Sequence, residues 1–385
     1  MAAPFFLALL YSKLAYLVVS SSAPPASPVI IIPGPYDVQF SRANNLKPII
    51  SSHDFAPDTP GHSDFNFNLV PSFLTLPNGT AALVVRSVNG TSWDPAKNGT
   101  TSTTLNPDML TLTTYRSAPG DTESIRVGPI ASSNVILKPV GQQEACGVQD
   151  PRIVYNQADK TFYMTYCVYG PPLPQNNKTN PLGILCGGAG VGIATTQTPH
   201  IASSWVRHGY NCHNGTHNNC GKSAAMLIRE SGPHYMFFGI PSIAVSTSHD
   251  LIHWTLTNGS WMVPDGAAQE MWIEAGSPPQ RLSDGNYIMT YNIADADLWW
   301  GIGYLILDKD DPTKVIQRES RALWPRLDWE RANPANPATS WEYYKNCIGA
   351  MNSLQPLGND TFVGFYVGGD SVCGAATITV NKKSS

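Results

Sequence analysis

The sequence carries little charge and has no long helical pattern. Asp, Glu, Lys and Arg make up 14% of its 385 residues, and the formal net charge is −4. A chain with this slight acidic excess offers no basic surface, so we expect neither nucleic acid nor an anionic membrane as a partner. Outside the first twenty or so residues, no amphipathic stretch is long enough for a major helix, which favours an all-β protein.

The cysteines of the sequence also lack the spacing of metal ligands. The sequence has seven cysteines, at positions 146, 167, 186, 212, 220, 347 and 373. None of them has the spacing of a structural zinc site, and we expect no metal and no other cofactor. In an oxidising compartment they would form up to three disulfides, for which Cys212–Cys220 and Cys347–Cys373 are the pairs that the spacing favours.

The N-terminus has the composition of a secretory signal. Residues 5–10 and 14–19 are apolar, and residues 20–23 are small, as a cleavage site requires. Lys13 interrupts the apolar run, which argues against a membrane-spanning helix, although a short retained anchor is the alternative. We expect residues 1–23 to be a signal peptide and the protein to be secreted and extracellular, with no membrane partner after signal removal.

Sequons support the same expectation. Asn-X-Ser/Thr occurs seven times, at Asn78, Asn89, Asn98, Asn177, Asn214, Asn258 and Asn359, which is typical of a glycoprotein. The Pro-rich segment after the signal predicts a linker and N-terminal arm over residues 24–45. Residues 46–385 are then expected to form a single catalytic domain.

A turn followed by a strand recurs five times in this domain. The turns contain Gly, Asp or Asn, and each joins an apolar strand to an aromatic or β-branched one; they lie at 76–79, 156–160, 230–233, 283–285 and 358–360. Five such hairpins predict a five-bladed β-propeller. A β-sandwich or a β-helix is the alternative, but no mid-chain linker divides two sandwiches, and a β-helix needs a shorter repeat.

The segment Asp150-Pro151-Arg152 lies just before the second of these turns. Because proline pushes its predecessor toward extended backbone, we expect Asp150 at the entrance of a strand, with Arg152 on the same side of that strand. The innermost strands of a propeller begin at its central funnel. A carboxyl group and a guanidinium held there suit a site that cleaves sugars.

Three segments, 150–153, 248–254 and 303–316, resemble glycoside hydrolase family 130. That family holds β-mannoside phosphorylases and β-1,2-mannosidases on five-bladed propellers, and the similarity runs from about residue 66 to residue 376. The resemblance implies an oligosaccharide or polysaccharide substrate and makes Asp150 the proton donor. It also implies substrate contacts for five residues, Asn68, Arg86, Arg152, Lys222 and Asp370.

Departures from the family pattern point away from phosphorolysis. Gln149 stands where phosphorylases carry an acidic residue, and Ser223 stands where they carry Asp after the lysine. Gly239 and Ile240 stand where they carry His-Arg. Phosphate binding needs several cationic donors that converge on the anion. We therefore expect a hydrolase that inverts the anomeric configuration.

Inverting hydrolysis needs a second carboxylate that activates water. Two glutamates resemble those of the hydrolytic members, Glu274 and Glu230. We rank Glu274 first, because the Gly- and Pro-rich residues after it resemble a strand entrance on the funnel. Glu230 lies beside a hairpin turn, where solvated carboxylates are common.

Two other functions stay open. An arabinanase- or fructosidase-like propeller glycosidase would combine Asp64 and Asp150 with Glu274, and Glu274 would then be the acid. A non-catalytic carbohydrate-binding propeller would need funnel aromatics and Asp370, but no acid–base pair.

Overall fold

The computed structural model describes residues 30–50, 64–65, 67–88, 108–118, 121–170, 189–210, 221–297, 299–331, 347–369 and 372–383. The predicted signal peptide, the Cys212–Cys220 pair and Asp370 lie outside these residues.

The described residues form five antiparallel sheets, which are the blades of a β-propeller. The first two strands, β1 (Ile31–Ile32) and β2 (Tyr36–Arg42), belong to the last two blades. Blade one contains β3 (Phe67–Thr75), β4 (Ala81–Val88), β5 (Met109–Arg116), β6 (Arg126–Val127) and β7 (Val135–Leu137). Blade two contains β8 (Gly147–Asn156), β9 (Thr161–Tyr169), β10 (Ala189–Thr196) and β11 (Val206–Tyr210). Blade three contains β12 (Ala225–Leu227), β13 (His234–Phe238), β14 (Ile243–Ser248) and β15 (Thr255–Met262).

Blade four contains β16 (Glu270–Ala275), β17 (Gln280–Arg281), β18 (Tyr287–Asp295), β19 (Trp300–Leu307) and β20 (Val315–Leu323), and β1 pairs with β20 at its outer edge. Blade five contains β21 (Ile348–Gly358), β22 (Thr361–Gly368) and β23 (Val372–Lys382), with β2 outermost. The α-helix found among the described residues, α1 (Asp328–Arg331), has four residues, and no described helix is long and apolar enough to cross a membrane.

All five predicted turns are hairpins that connect an inner strand to the next strand of its blade, and the five-bladed all-β prediction is confirmed. The turn residues act as the sequence suggested. The side-chain oxygens of Asn78 and Asp284 each accept a hydrogen bond from the backbone N–H two residues later, at 3.0 and 3.2 Å. Gly79 and Gly285 follow with φ of +83° and +94°, a backbone conformation that glycine adopts without steric cost.

The predicted linker and arm, 24–45, contains two strands of the propeller. Strand β2 pairs antiparallel with β23 from Tyr36–Lys382 to Arg42–Ala376. The propeller therefore begins before residue 46, and an N-terminal strand beside the C-terminal strand closes the ring. Proline-rich composition hid this, because Pro33 and Pro35 lie directly before a strand whose exposed and buried residues alternate.

The predicted Cys347–Cys373 disulfide is wrong. Both residues are buried thiols, and neither belongs to a disulfide. The thiol of Cys373 donates to the backbone oxygen of Asn68 in blade one at 3.1 Å. The backbone of Cys347 forms a parallel β-bridge with Trp300 of blade four. The two cysteines are close in sequence but face different neighbouring blades.

A kink interrupts the innermost strands near their start. In β3, β8 and β21 the pairing with the next strand shifts register, and Val70, Asp150 and Ala350 have φ of +52°, +51° and +48°. Ser223, two residues before β12, has φ of +59°. Residues with a side chain rarely adopt this conformation, and such bulges re-aim the side chains beside them. The backbone at Asp150 is thus left-handed, where the sequence predicted extended geometry.

Arg42 ties the closing strand β2 to the residues that follow blade four. Its guanidinium Nε lies 2.6 Å from Oε1 of the fully buried Glu330, and its Nη2 donates to the backbone oxygen of Trp324. Removing one partner of a buried ion pair leaves an uncompensated charge, which costs ~3–5 kcal/mol.

We therefore expect Arg42→Met to lower the free energy of unfolding by several kcal/mol in urea denaturation. Lys382→Met is the control in the same sheet, because Lys382 is mostly exposed and pairs with Asp284 at the surface. Exposed pairs contribute ~0–1 kcal/mol, so this variant should unfold close to the wild type. Equal stability of the two variants would contradict the role of Arg42.

Candidate functional site

Charged side chains from blades one to four meet where the innermost strands begin. We call this group the charged cluster; it comprises three carboxylates and three cations, Asp108, Asp150, Glu274, Arg86, Arg152 and Lys222. All three carboxylates are buried. Within the described ranges, no three His, Cys, Asp or Glu side chains are grouped so that they could hold a metal ion.

Asp150 lies on the kink of β8 and is 7% exposed. Its Oδ1 is 3.4 Å from Nη1 of Arg86. Burial raises the pKa of this carboxyl, but the positive charges of Arg86, Lys222 and Arg152 outweigh burial and hold the pKa below its ordinary value. Asp150 is therefore ionised at neutral pH in the ligand-free protein.

Arg152 binds backbone rather than offering donors to a ligand. Its Nε donates to the oxygen of Gly276 at 2.6 Å, and its Nη2 donates to the oxygen of Ala275 at 2.7 Å. Its Nη1 donates to the backbone oxygen of Asp150 at 3.2 Å. Arg152 as a whole is 2% exposed. These bonds give Arg152 a structural role between blades two and four, and its expected sugar or oxyanion contact stays a prediction.

Glu274 lies in β16, directly before the carbonyls that Arg152 binds. The ammonium of Lys222 is 3.2 Å from its Oε1, and the hydroxyl of Ser223 donates to the same oxygen. Nδ2 of Asn292 donates to Oε2 at 3.3 Å. Three side chains from two blades therefore fix the orientation of this carboxylate.

The structure brings Asp150 and Glu274 into one cluster through two shared cations. Arg152 binds the backbone of Asp150 and the two residues after Glu274. Lys222 pairs with Glu274 and also lowers the pKa of Asp150. The carboxylates that the sequence proposed as acid and base are therefore neighbours across the funnel.

Glu230 does not join this group. It follows the end of β12, whereas Lys222 and Ser223 precede the start of that strand. Its side chain is 89% exposed and pairs with Arg281 at 3.2 Å. Glu230 lines a cavity of about 760 Å³ formed by the hairpin-turn ends of the inner strands, away from Asp150. Sequence order alone did not reveal to which end of the strand this glutamate belongs.

Asn68 and Arg86 both lie in blade one near the cluster. Asn68 is buried, and its Oδ1 accepts from the hydroxyl of Ser87 at 2.9 Å. Its Nδ2 has no hydrogen-bond partner among the described residues, so it is a donor that a ligand hydroxyl could use. Asp64, which the arabinanase-type alternative requires, is exposed and accepts from the N–H of Ser132 at 2.7 Å.

Sequence reasoning missed three residues of the site. Ser223 and Asn292 orient Glu274, and Asp108 binds Arg86 with an Oδ2–Nε distance of 2.7 Å. Burial raises the pKa of Asp108, and the Arg86 charge offsets this rise only in part. No motif marks Asp108; the signal that could have identified it is an acidic residue directly before the apolar strand β5.

Comparisons with known proteins agree with this fold. The family model for glycoside hydrolase family 130, described as β-1,4-mannooligosaccharide phosphorylase, matches residues 127–333. A 1,2-β-oligomannan phosphorylase from Thermoanaerobacter sp. (strain X514) is 25% identical over 240 residues, which cover 62% of this chain and 70% of that protein.

Two solved structures share the fold. One comes from a study of family 130 glycoside hydrolases that target β-1,2-mannosidic linkages in Candida mannan; it has a TM-score of 0.61 at 18% identity and covers 88% of this chain and 93% of its own. The other is β-1,2-mannobiose phosphorylase from Listeria innocua, with a TM-score of 0.58 at 15% identity over 88% of this chain and 96% of its own. Because the family model spans more than half of the sequence, the chain belongs to glycoside hydrolase family 130.

Proposed function

We propose that the protein is an inverting glycoside hydrolase that cleaves β-mannosidic linkages in an oligosaccharide or polysaccharide. Membership of family 130 and the mannoside-active relatives support the substrate class. The pairing of Asp150 and Glu274 around Lys222 and Arg152 supports the chemistry, because inverting hydrolysis needs two carboxylates on opposite sides of the scissile bond.

The observation that carries hydrolysis over phosphorolysis is that each cation of the charged cluster already has an oxygen partner. Lys222 pairs with Glu274, Arg86 pairs with two aspartates, and Arg152 binds backbone oxygens. A phosphate dianion would have to displace a buried carboxylate from its cation, which is costly. Gly239 and Ile240 add no positive charge nearby. A neutral sugar and a water molecule can bind without displacing a carboxylate from its cation.

The reaction then needs two proton transfers. Asp150 is ionised in the ligand-free protein, so it first takes up a proton from solvent. It then donates this proton to the glycosidic oxygen as the bond from that oxygen to the anomeric carbon breaks. A water molecule attacks the anomeric carbon from the opposite face, and its proton passes to Glu274, which Ser223 and Asn292 hold in place. The product is the inverted sugar, and both carboxyls return to their starting protonation states by exchange with solvent.

We expect β-linked mannooligosaccharides incubated in H₂¹⁸O to release mannose that carries ¹⁸O and appears first as the α-anomer. Adding inorganic phosphate should leave the rate unchanged, because the cluster has no cation to spare for it. NMR of fresh product and mass spectrometry measure both outcomes. Faster turnover with phosphate, giving a mannose phosphate, would contradict hydrolysis. Binding without turnover across β-mannosides and arabinans would favour the non-catalytic alternative.

Substitution of each carboxylate should separate the two roles. Acid catalysis contributes roughly 10²–10⁴-fold, so Asp150→Asn should lose this factor on natural substrates and regain it with an aryl mannoside whose leaving group needs no proton. Glu274→Gln should lose activity on both substrates, because the water still needs a base. Glu230→Gln is the matched control and should match the wild type.

The lowered pKa of Asp150 favours a second assignment, in which Asp150 stays ionised as a helper and Glu274 is the acid. This is the arrangement of the arabinanase-type alternative. It would appear in the same experiment as rescue of Glu274→Gln, and not of Asp150→Asn, by the activated substrate.

We also propose that the protein is secreted and glycosylated. The small-residue site after the apolar N-terminus supports this, as do sequon asparagines Asn78, Asn258 and Asn359, which are exposed. Expressed in a eukaryotic secretory host, the full chain should appear in the medium with a new N-terminus near residue 24, and glycosidase treatment should reduce its mass. A chain lacking residues 1–23 should stay in the cells. Retention of the full chain with its N-terminus intact would contradict secretion.

A further inference from the structure

We propose that Asp108 is a positioning residue that shares Arg86 with Asp150 and thereby sets how readily Asp150 takes up the proton that it donates. The proposal rests on the proposed function in so far as Asp150 is the acid. It stands on four features: the shared guanidinium, the backbone tether of Asp108, the burial of both carboxylates and the charges around them.

The guanidinium of Arg86 lies between the two aspartates and closer to Asp108. Its Nε is 2.7 Å from Oδ2 of Asp108, and its Nη1 is 3.4 Å from Oδ1 of Asp150. Both carboxylates are buried, so solvent screens neither of them well. One cation therefore serves two anions, and the more distant anion receives less of its attraction.

Backbone contacts fix Asp108 against the strand that carries Asp150. The N–H of Val148 donates to the backbone oxygen of Asp108 at 3.0 Å, and Gly147 forms a parallel β-bridge with Asp108. A Cβ on Gly147 would lie 2.8 Å from the backbone N of Asp108, so a larger residue would push the two segments apart. Asp108 thus moves with β8 and holds Arg86 at a set distance from Asp150.

Other charges around Asp150 complete the balance. Its ionisable neighbours are Arg86 and Asp108 from blade one, Arg152, Cys167 and Tyr169 from blade two, Lys222 before blade three, and Glu274 of blade four, which pairs with Lys222. Burial raises the pKa of the Cys167 thiol to about 12. The pKa of Tyr169 is also about 12, since its burial and nearby negative charges outweigh the Lys222 charge. Neither group titrates between pH 4 and 8. The carboxyls that compete with Asp150 for its cations are therefore Asp108, which shares Arg86, and Glu274, which shares Lys222.

The sign of the effect follows from this arrangement. Asn at position 108 leaves all of the Arg86 attraction to Asp150 and removes the negative charge that ionised Asp108 places beside it. Both changes stabilise ionised Asp150 and lower its pKa further. A nearby charge typically shifts a carboxyl pKa by about one unit or more. The acid would then lose its proton at a lower pH than in the wild type.

We expect Asp108→Asn to move the high-pH limb of kcat/KM down by about one pH unit on a substrate with a poor leaving group. KM should change little, and an activated aryl mannoside should show little loss. Asp108→Ser should move the limb in the same direction, and Asp108→Glu should restore it. Asp295→Asn is the matched control, because it removes the carboxylate of another buried Asp–Arg pair, with Arg321 at 3.3 Å. This control should leave the limb in place.

A carboxyl titration by ¹³C NMR tests the same point without turnover. The resonance that disappears in Asp150→Asn should titrate at lower pH in Asp108→Asn than in the wild type. An unchanged or higher midpoint would overturn the proposal, as would an equal loss of activity at every pH on both substrates, which is what a purely structural role predicts. A wild type with no activity on β-mannosides would instead overturn the proposed function, and the titration would still decide the role of Asp108.

Discussion

The guanidinium of Arg152 is the contact on which the geometry of the site depends. It joins the backbone of Asp150 in blade two to the carbonyls of Ala275 and Gly276 in blade four. Because Arg152 is buried, water could not readily replace it, and the loss of its donors would leave the carbonyls unsatisfied. The spacing of Asp150 and Glu274 is therefore set through backbone atoms rather than through flexible side chains. The inverting hydrolysis that we propose needs a fixed gap between the two carboxylates, since one water molecule must fit between the base and the sugar.

Charge balance within the cluster is the physical basis of the proposed preference for a neutral ligand. Three cations face three carboxylates, and every cation is within reach of an oxygen. A neutral sugar adds no charge, so binding leaves this balance intact. An added anion would compete with Glu274 for Lys222 or with Asp108 and Asp150 for Arg86, in a place where solvent screening is weak.

The sequence predicted the parts of the fold that depend on local chemistry. Asn78 and Asp284 hydrogen-bond their own turns, and such turns can be recognised without knowing what surrounds them. Contacts between distant segments were missed. Strand β2 pairs with a strand more than three hundred residues later, and Asp108 meets the strand that carries Asp150 only when blade one packs against blade two. Glu230 and Glu274 both resembled glutamates of the hydrolytic members, yet Glu230 follows β12, whereas the cluster residues Lys222 and Ser223 precede that strand. The direction in which a strand crosses the blade is a property of the whole sheet, which this resemblance does not contain.

The left-handed residue at Asp150 belongs to the architecture rather than to the catalytic site alone. Val70 and Ala350 adopt the same conformation at the corresponding bulges of blades one and five, and Ser223 adopts it just before β12. The kink is therefore supported by the pairing of each blade, whatever side chain occupies it. At Val70 and Ala350 that side chain is apolar and packs in the core between them, whereas Asp150 and Ser223 are polar and reach the cations and Glu274. One recurring bend thus gives apolar packing on one side of the funnel and contacts within the charged cluster on the other, and the residue at the bend decides which.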